Sequence, residues 1–108
     1  ANLQPPTPPA ASVIDTGTGS HSLGVTVAAA SWVEVINKDG KRLEYGLLPA
    51  GSSRVYHSDQ PLDVRIGNAT GAQVTIDGQS LGLDDYRHAN VAHFRMQTQD
   101  GKASAVSL

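Results

Sequence analysis

Cysteine is absent from the 108-residue chain, which excludes a disulfide scaffold, a thiolate metal site and a thiol nucleophile. Neither sign of charge is in excess. Eight Lys and Arg stand against ten Asp and Glu, a net charge of −2, and the two signs are mixed along the sequence. The absence of a basic stripe argues against a nucleic acid or an anionic membrane surface as partner. No apolar run approaches the roughly 20 residues that cross a bilayer, and no leader peptide is visible. The chain starts at Ala1 rather than Met, as an excised or processed piece would; if the parent protein is anchored or exported, the segment responsible is expected upstream of Ala1. Aromatic residues are scarce at 5%: one Trp, three Tyr and one Phe. One small domain with a modest core is the expectation.

Catalytic signatures are missing as well. The chain has no GxSxG, no HExxH and no phosphate-binding glycine loop. Ser, His and Asp are present, but no spacing selects a triad, and no cofactor is implied. Of the four histidines, His88 and His93 are five apart, which puts them on opposite faces of a continuous strand. Asn68-Ala69-Thr70 fits the N-x-T glycosylation pattern, but an asparagine opening a turn accounts for it as well.

What is present is a succession of short alternating runs separated by turn residues. The clearest is Ser31 to Leu47. Val33 and Val35 alternate with Glu34, and Leu43, Tyr45 and Leu47 alternate with Glu44 and Gly46. Asn37-Lys38-Asp39-Gly40 lies between them. Asp39-Gly40 predicts a tight hairpin turn, because glycine takes positive φ without a Cβ clash. Asp77-Gly78 predicts a second. Further strands are expected near 22–29, at 53–57 with Val55 inward, and at 62–67, where Leu62, Val64 and Ile66 share one face. Others follow at 74–76 and 80–83, and then at 90–97 with Ala92, Phe94 and Met96 inward. No 11-residue window carries a helical period. Turn signals every 8–12 residues predict an all-β fold: a small, mostly antiparallel sandwich or barrel of about seven or eight short strands.

Residues 1–21 read as a flexible linker, with Pro5-Pro6-Thr7-Pro8-Pro9 extended and Gly17-Thr18-Gly19-Ser20 permissive. Residues 22–97 read as the β domain and 98–108 as a disordered tail.

Candidate contact residues are few. Trp32 faces the side of Glu34, away from Val33 and Val35. It either packs beneath a loop or anchors a partner. Tyr56 and Tyr86, with Trp32, are candidates for a sugar platform, whereas Tyr45 is expected at the core or its edge.

The ordered set SWVEVINKDGKRLEYGLLPAG, PLDVRIGNA, VTIDGQSLGLDDY and VAHFRM resembles the C-terminal domain of the RodZ family over about residues 22–97. Trp32, Val33 and Val35 match the family's first hairpin strand, Asp39-Gly40 its turn, and Arg65-Ile66-Gly67-Asn68-Ala69 the end of its central strand. Gly67 reads as a backbone requirement, either a close approach or a special φ. The resemblance implies a non-enzymatic domain in the periplasm, at the C-terminus of a single-pass inner-membrane protein. The membrane would be reached only through an upstream helix. Another part of such a protein, absent from this sequence, binds the actin-like filament protein MreB and couples it to cell-wall elongation and rod shape. The expected partners of this domain are periplasmic parts of the elongation complex or peptidoglycan. The alternative is an exported β-sandwich module that binds peptidoglycan glycans.

Overall fold

The computed structural model describes residues 13–107. The Pro-rich stretch at 1–12 and Leu108 lie outside the described residues. Eleven strands follow one another: β1 (Val13–Thr18), β2 (His21–Val27), β3 (Ser31–Asn37), β4 (Arg42–Leu48), β5 (Ser53–Ser58), β6 (Leu62–Gly67), β7 (Ala72–Ile76), β8 (Gln79–Leu81), β9 (Arg87–His88), β10 (Val91–Gln99) and β11 (Lys102–Ser107). Two short 3-10 turns, Ala69–Gly71 and Asp84–Tyr86, interrupt the series.

The strands form two sheets. One has the order β1-β5-β2-β7-β8. The other has the order β11-β10-β6-β3-β4, with β9 added to β10. All pairs are antiparallel except β1 with β5. The architecture is the expected all-β, mostly antiparallel sandwich, built from eleven strands among the described residues where seven or eight were expected.

Strand alternation builds the core. Leu23, Val25 and Val27 on β2, Val33 and Val35 on β3, Leu62, Val64 and Ile66 on β6, and Ala92, Phe94 and Met96 on β10 are all fully or almost fully buried in one cluster between the sheets. A period of two sends successive side chains to opposite faces, so each run commits every second residue to the interior. Burial at this density is the main favourable contribution to folding. The buried hydroxyls of Ser31, Ser52 and Ser58 each donate to a backbone carbonyl, at 2.9, 2.6 and 2.9 Å.

The turns follow their residues. At the β3–β4 turn Gly40 takes φ 83° and its N–H donates to the Asn37 carbonyl at 2.9 Å. The Asn37 side-chain oxygen accepts from the N–H of Asp39 and of Lys41. At the β7–β8 turn Asp77 and Gly78 both have positive φ, 50° and 83°, as a two-residue hairpin loop requires.

Four expectations need correction. Residues 13–18 belong to the fold and not to a linker: β1 adds to the free side of β5 in parallel over six rungs, from Val13↔Ser53 to Thr18↔Ser58. Residues 102–107 are not a frayed tail but β11, antiparallel to β10, with Ala103 and Ala105 packed against the core. Both stretches are weakly apolar, so their order comes from backbone pairing to a preformed neighbour rather than from large side chains.

In β5 the inward residue is Tyr56, fully buried, and not Val55. Its ring occupies core volume while its hydroxyl finds an acceptor at the sheet edge. Gly67 has no positive φ, and a Cβ there would stand 3.5 Å from the Trp32 Cβ, an ordinary contact. The left-handed backbone belongs to Asn68, at φ 59°, and asparagine tolerates that region.

Candidate interaction surface

Because β3, β4, β6 and β10 bury one face, their other face is a four-strand exterior with a definite register. Trp32 stands opposite Leu47 on β4. On its other side lies Gly67, which pairs with Val91. The row Leu47, Trp32, Gly67, Val91 therefore runs straight across the sheet. Leu47 is 63% exposed, Trp32 40% and Val91 40%. The next row is Tyr45, Glu34, Arg65, His93, followed by Arg42, Ile36, Asp63, Arg95. A shallow depression between these rows is lined by Glu34, Ile36, Asp63, Arg65 and His93.

The aromatic end of this face is held in place. Trp32 Nε1 donates to Glu34 Oε2 at 2.7 Å. The Trp32 and Tyr45 rings meet edge to face, with centroids 5.4 Å apart and planes at 79°. The Arg42 guanidinium sits 4.1 Å from the centre of the Tyr45 ring. Edge-to-face rings and a stacked guanidinium are both favoured by the ring quadrupole. Farther along, Arg95 Nε donates to Asp63 Oδ1 at 2.8 Å.

Trp32 and Glu34 thus act together on an open surface. Tyr45 was expected at the core edge in register with Leu43, but it is 48% exposed. The cause is a bulge: the pairing goes from Val35↔Glu44 to Ile36↔Arg42, skipping Leu43. The extra residue turns Leu43 toward the core, while Tyr45 and Leu47 stay outside. Tyr45, Leu47 and Arg42 were missed as surface partners of Trp32. Counted back from the turn, where the Asn37 N–H meets the Lys41 carbonyl, an unbroken register pairs Arg42 with Ile36 but sets Tyr45 opposite Val33 on the buried face, so only Arg42 could be placed without the bulge.

Tyr56 is not a surface residue. Its hydroxyl donates to Glu44 Oε1 at 2.9 Å inside the sandwich. Burial, and then the adjacent Glu44 carboxylate, push the phenol far above its ordinary range and keep it neutral. Tyr86 lies on the Asp84–Tyr86 turn, its ring tilted against Phe94 at 5.6 Å and its hydroxyl donating to the Ala105 carbonyl at 3.3 Å. The structure therefore does not bring Trp32, Tyr56 and Tyr86 together as a platform.

The histidines are dispersed. His21 Nδ1 lies 2.9 Å from Asp77 Oδ2, and the Ser22 N–H donates to Asp77 Oδ1 at 2.8 Å. Desolvation works against the Asp77 carboxylate. The hydrogen bonds from His21 and Ser22 outweigh it and hold its pKa below the usual carboxylate range. His57 approaches Asp15 at 3.7 Å. Among the described residues no group of three or more His, Cys, Asp or Glu is placed to hold a metal ion. No helix among them is long and apolar enough to cross a membrane. Asn68 is occupied within the fold: its amide donates to the Ala30 carbonyl at 3.0 Å, and its oxygen accepts from Asn90.

Fold and surface together define a small two-sheet β domain whose most distinctive exterior feature is an aromatic and charged sheet face. The model of the RodZ C-terminal domain family matches residues 24–95, two thirds of the chain, and the chain belongs to that family. The matched span runs from β2 into β10 and so includes every strand of that face. No solved structure matches the chain. The family is one of non-catalytic scaffolds, with a general role in cell shape.

Proposed function

We propose that this domain is the periplasmic interaction module of a membrane-anchored cell-shape scaffold, and that it contacts periplasmic parts of the cell-wall elongation machinery through the face centred on Trp32. The filament-binding role belongs to a part of the parent protein outside this sequence. The observation that carries the reading is the exposed Trp32–Tyr45 pair, braced by Glu34 and Arg42, in a domain of this family. Exposed aromatics held rigid by neighbours lose little entropy on contact, and they are favoured interface anchors.

The test is Trp32→Ala in the full-length parent protein. The expected result is a normally folded domain, wider or rounder cells, and reduced co-purification of elongation proteins from the membrane fraction. Unchanged cell width and unchanged co-purification would overturn the reading. The glycan alternative loses the three-ring platform expected for it, since Tyr56 is buried. Titration of muropeptides to millimolar concentration while following Trp32 emission separates the two readings, with a shift expected only if sugars stack there.

A further inference from the structure

Strand β4 is an end strand, with β3 as its one neighbour in the sheet. End strands leave backbone N–H and C=O groups unpaired and are commonly blunted by proline, by charge or by shortness. β4 has seven residues, contains no proline, and shows the exposed side chains of Tyr45 and Leu47. Of the other three end strands, β8 has three residues, while β1 and β11 have six each and expose no aromatic side chain.

Gly46, between Tyr45 and Leu47, is a second observation. It has no positive φ, and no heavy atom lies within 4 Å of the position its Cβ would take. Glycine weakens a strand interior, and where the fold does not need it, it often marks close approach by another backbone. Charge is the third. Lys38, Lys41 and Arg42 are exposed around the start of β4, and none takes part in an ion pair among the described residues. Asp39, the one carboxylate in this turn, accepts from Gln60.

Resting on the interaction-domain reading above, we propose that the free edge of β4 receives an extended peptide of a partner protein as an additional strand. Apolar side chains at every second position of that peptide lie beside Tyr45 and Leu47. Carboxylates at one end of it lie against Lys38, Lys41 and Arg42. Backbone pairing supplies affinity in such strand addition, and the alternate side chains supply selectivity. A second copy of this chain does not meet the charge requirement. Antiparallel pairing of two β4 strands about Gly46 sets Arg42 beside the neutral Ala50, parallel pairing stacks cation on cation, and Glu44 is engaged by Tyr56.

The test is selection of a displayed library of random linear decapeptides on the folded domain, followed by synthesis of the selected peptides. The expected peptides alternate apolar residues and end in two or more Asp or Glu. Their affinity should fall at least tenfold with Lys38→Glu/Lys41→Glu and with Asp and Glu changed to Asn and Gln. N-methylation at alternate peptide positions should abolish binding, and bound peptide should slow amide exchange in β4. The proposal is overturned if no peptide is enriched, if enriched peptides lack carboxylates, or if N-methylation is tolerated. It is also overturned by a concentration-dependent dimer in sedimentation that Tyr45→Lys dissociates. Absence of peptide binding alongside a Trp32→Ala defect in cells sinks the edge and spares the wider reading. Peptide binding with no Trp32→Ala defect does the reverse.

Discussion

The sheet β11-β10-β6-β3-β4 has two faces made by the same strands. On the inner face Val33, Val35, Val64, Ile66 and Phe94 have no solvent exposure. On the outer face Trp32, Tyr45, Leu47 and Val91 are 40–63% exposed. In β3 the larger side chains, Trp32, Glu34 and Ile36, are on the wet side and the small β-branched Val33 and Val35 fill the dry side, while β4 puts Tyr45 and Leu47 outside and Leu48 inside. A sandwich interior demands close packing, which valine and isoleucine achieve in few rotamers. The open face sets no volume limit, and there the aromatic residues are braced by polar neighbours.

The largest effect that separates the faces is expected from Phe94→Ala. It removes a fully buried ring that packs against Tyr86. A loss of about 3–5 kcal/mol is expected by urea unfolding, much of the stability of a domain this small. Next is Tyr56→Phe, which keeps the ring and removes the hydroxyl that donates to Glu44. A cost of about 1–2 kcal/mol is expected in the same assay. The folded-state pKa of Tyr56 is raised, so its contribution is complete below the unfolded value of about 10 and declines at higher pH. Wild type should therefore lose stability above about pH 10 more steeply than Tyr56→Phe.

On the outer face Trp32→Ala should cost no more than about 1 kcal/mol, with an unchanged far-ultraviolet spectrum. A cost like that of Phe94→Ala would erase the distinction between the faces. The smallest effect is expected from Gly67→Ala. Its Cβ would make ordinary contact with Trp32, and the stability change should lie within roughly 0.5–1 kcal/mol, on the stabilising side.

A separate titration concerns the other sheet. Asp77 has a depressed pKa, so its contribution is present above about pH 4 and is lost as pH falls further. Asp77→Asn should reduce the slope of stability against pH in that acid range.

These contrasts explain what was legible in advance. Period-two alternation identified the sets that share a face, and in β3, β6 and β10 the apolar set is the buried one. In β5, Val55 and Tyr56 are adjacent and both suit a strand, so alternation alone did not choose between them. The Tyr56–Glu44 contact, between residues 12 apart, decided it. The bulge at Leu43 has no local signature, and it alone puts Tyr45 outside. Strands β1 and β11 are ordered by neighbours far away in sequence, and their own residues carry little apolar signal. For the surface, Trp32 and Glu34 were identified, but their partners on β4 depended on that register.

The parallel pairing of β1 with β5 has a mechanical consequence. The chain enters the described fold at Val13, which is paired with Ser53, and β1 then runs alongside β5 for six rungs to Thr18↔Ser58. A pull on the chain ahead of Val13, directed along the strand, loads those rungs together in shear. A pull at right angles opens them one after another, starting from Val13↔Ser53. Tension transmitted through the N-terminal side therefore meets high resistance along one axis and low resistance across it, and the direction of the load decides whether β1 stays seated.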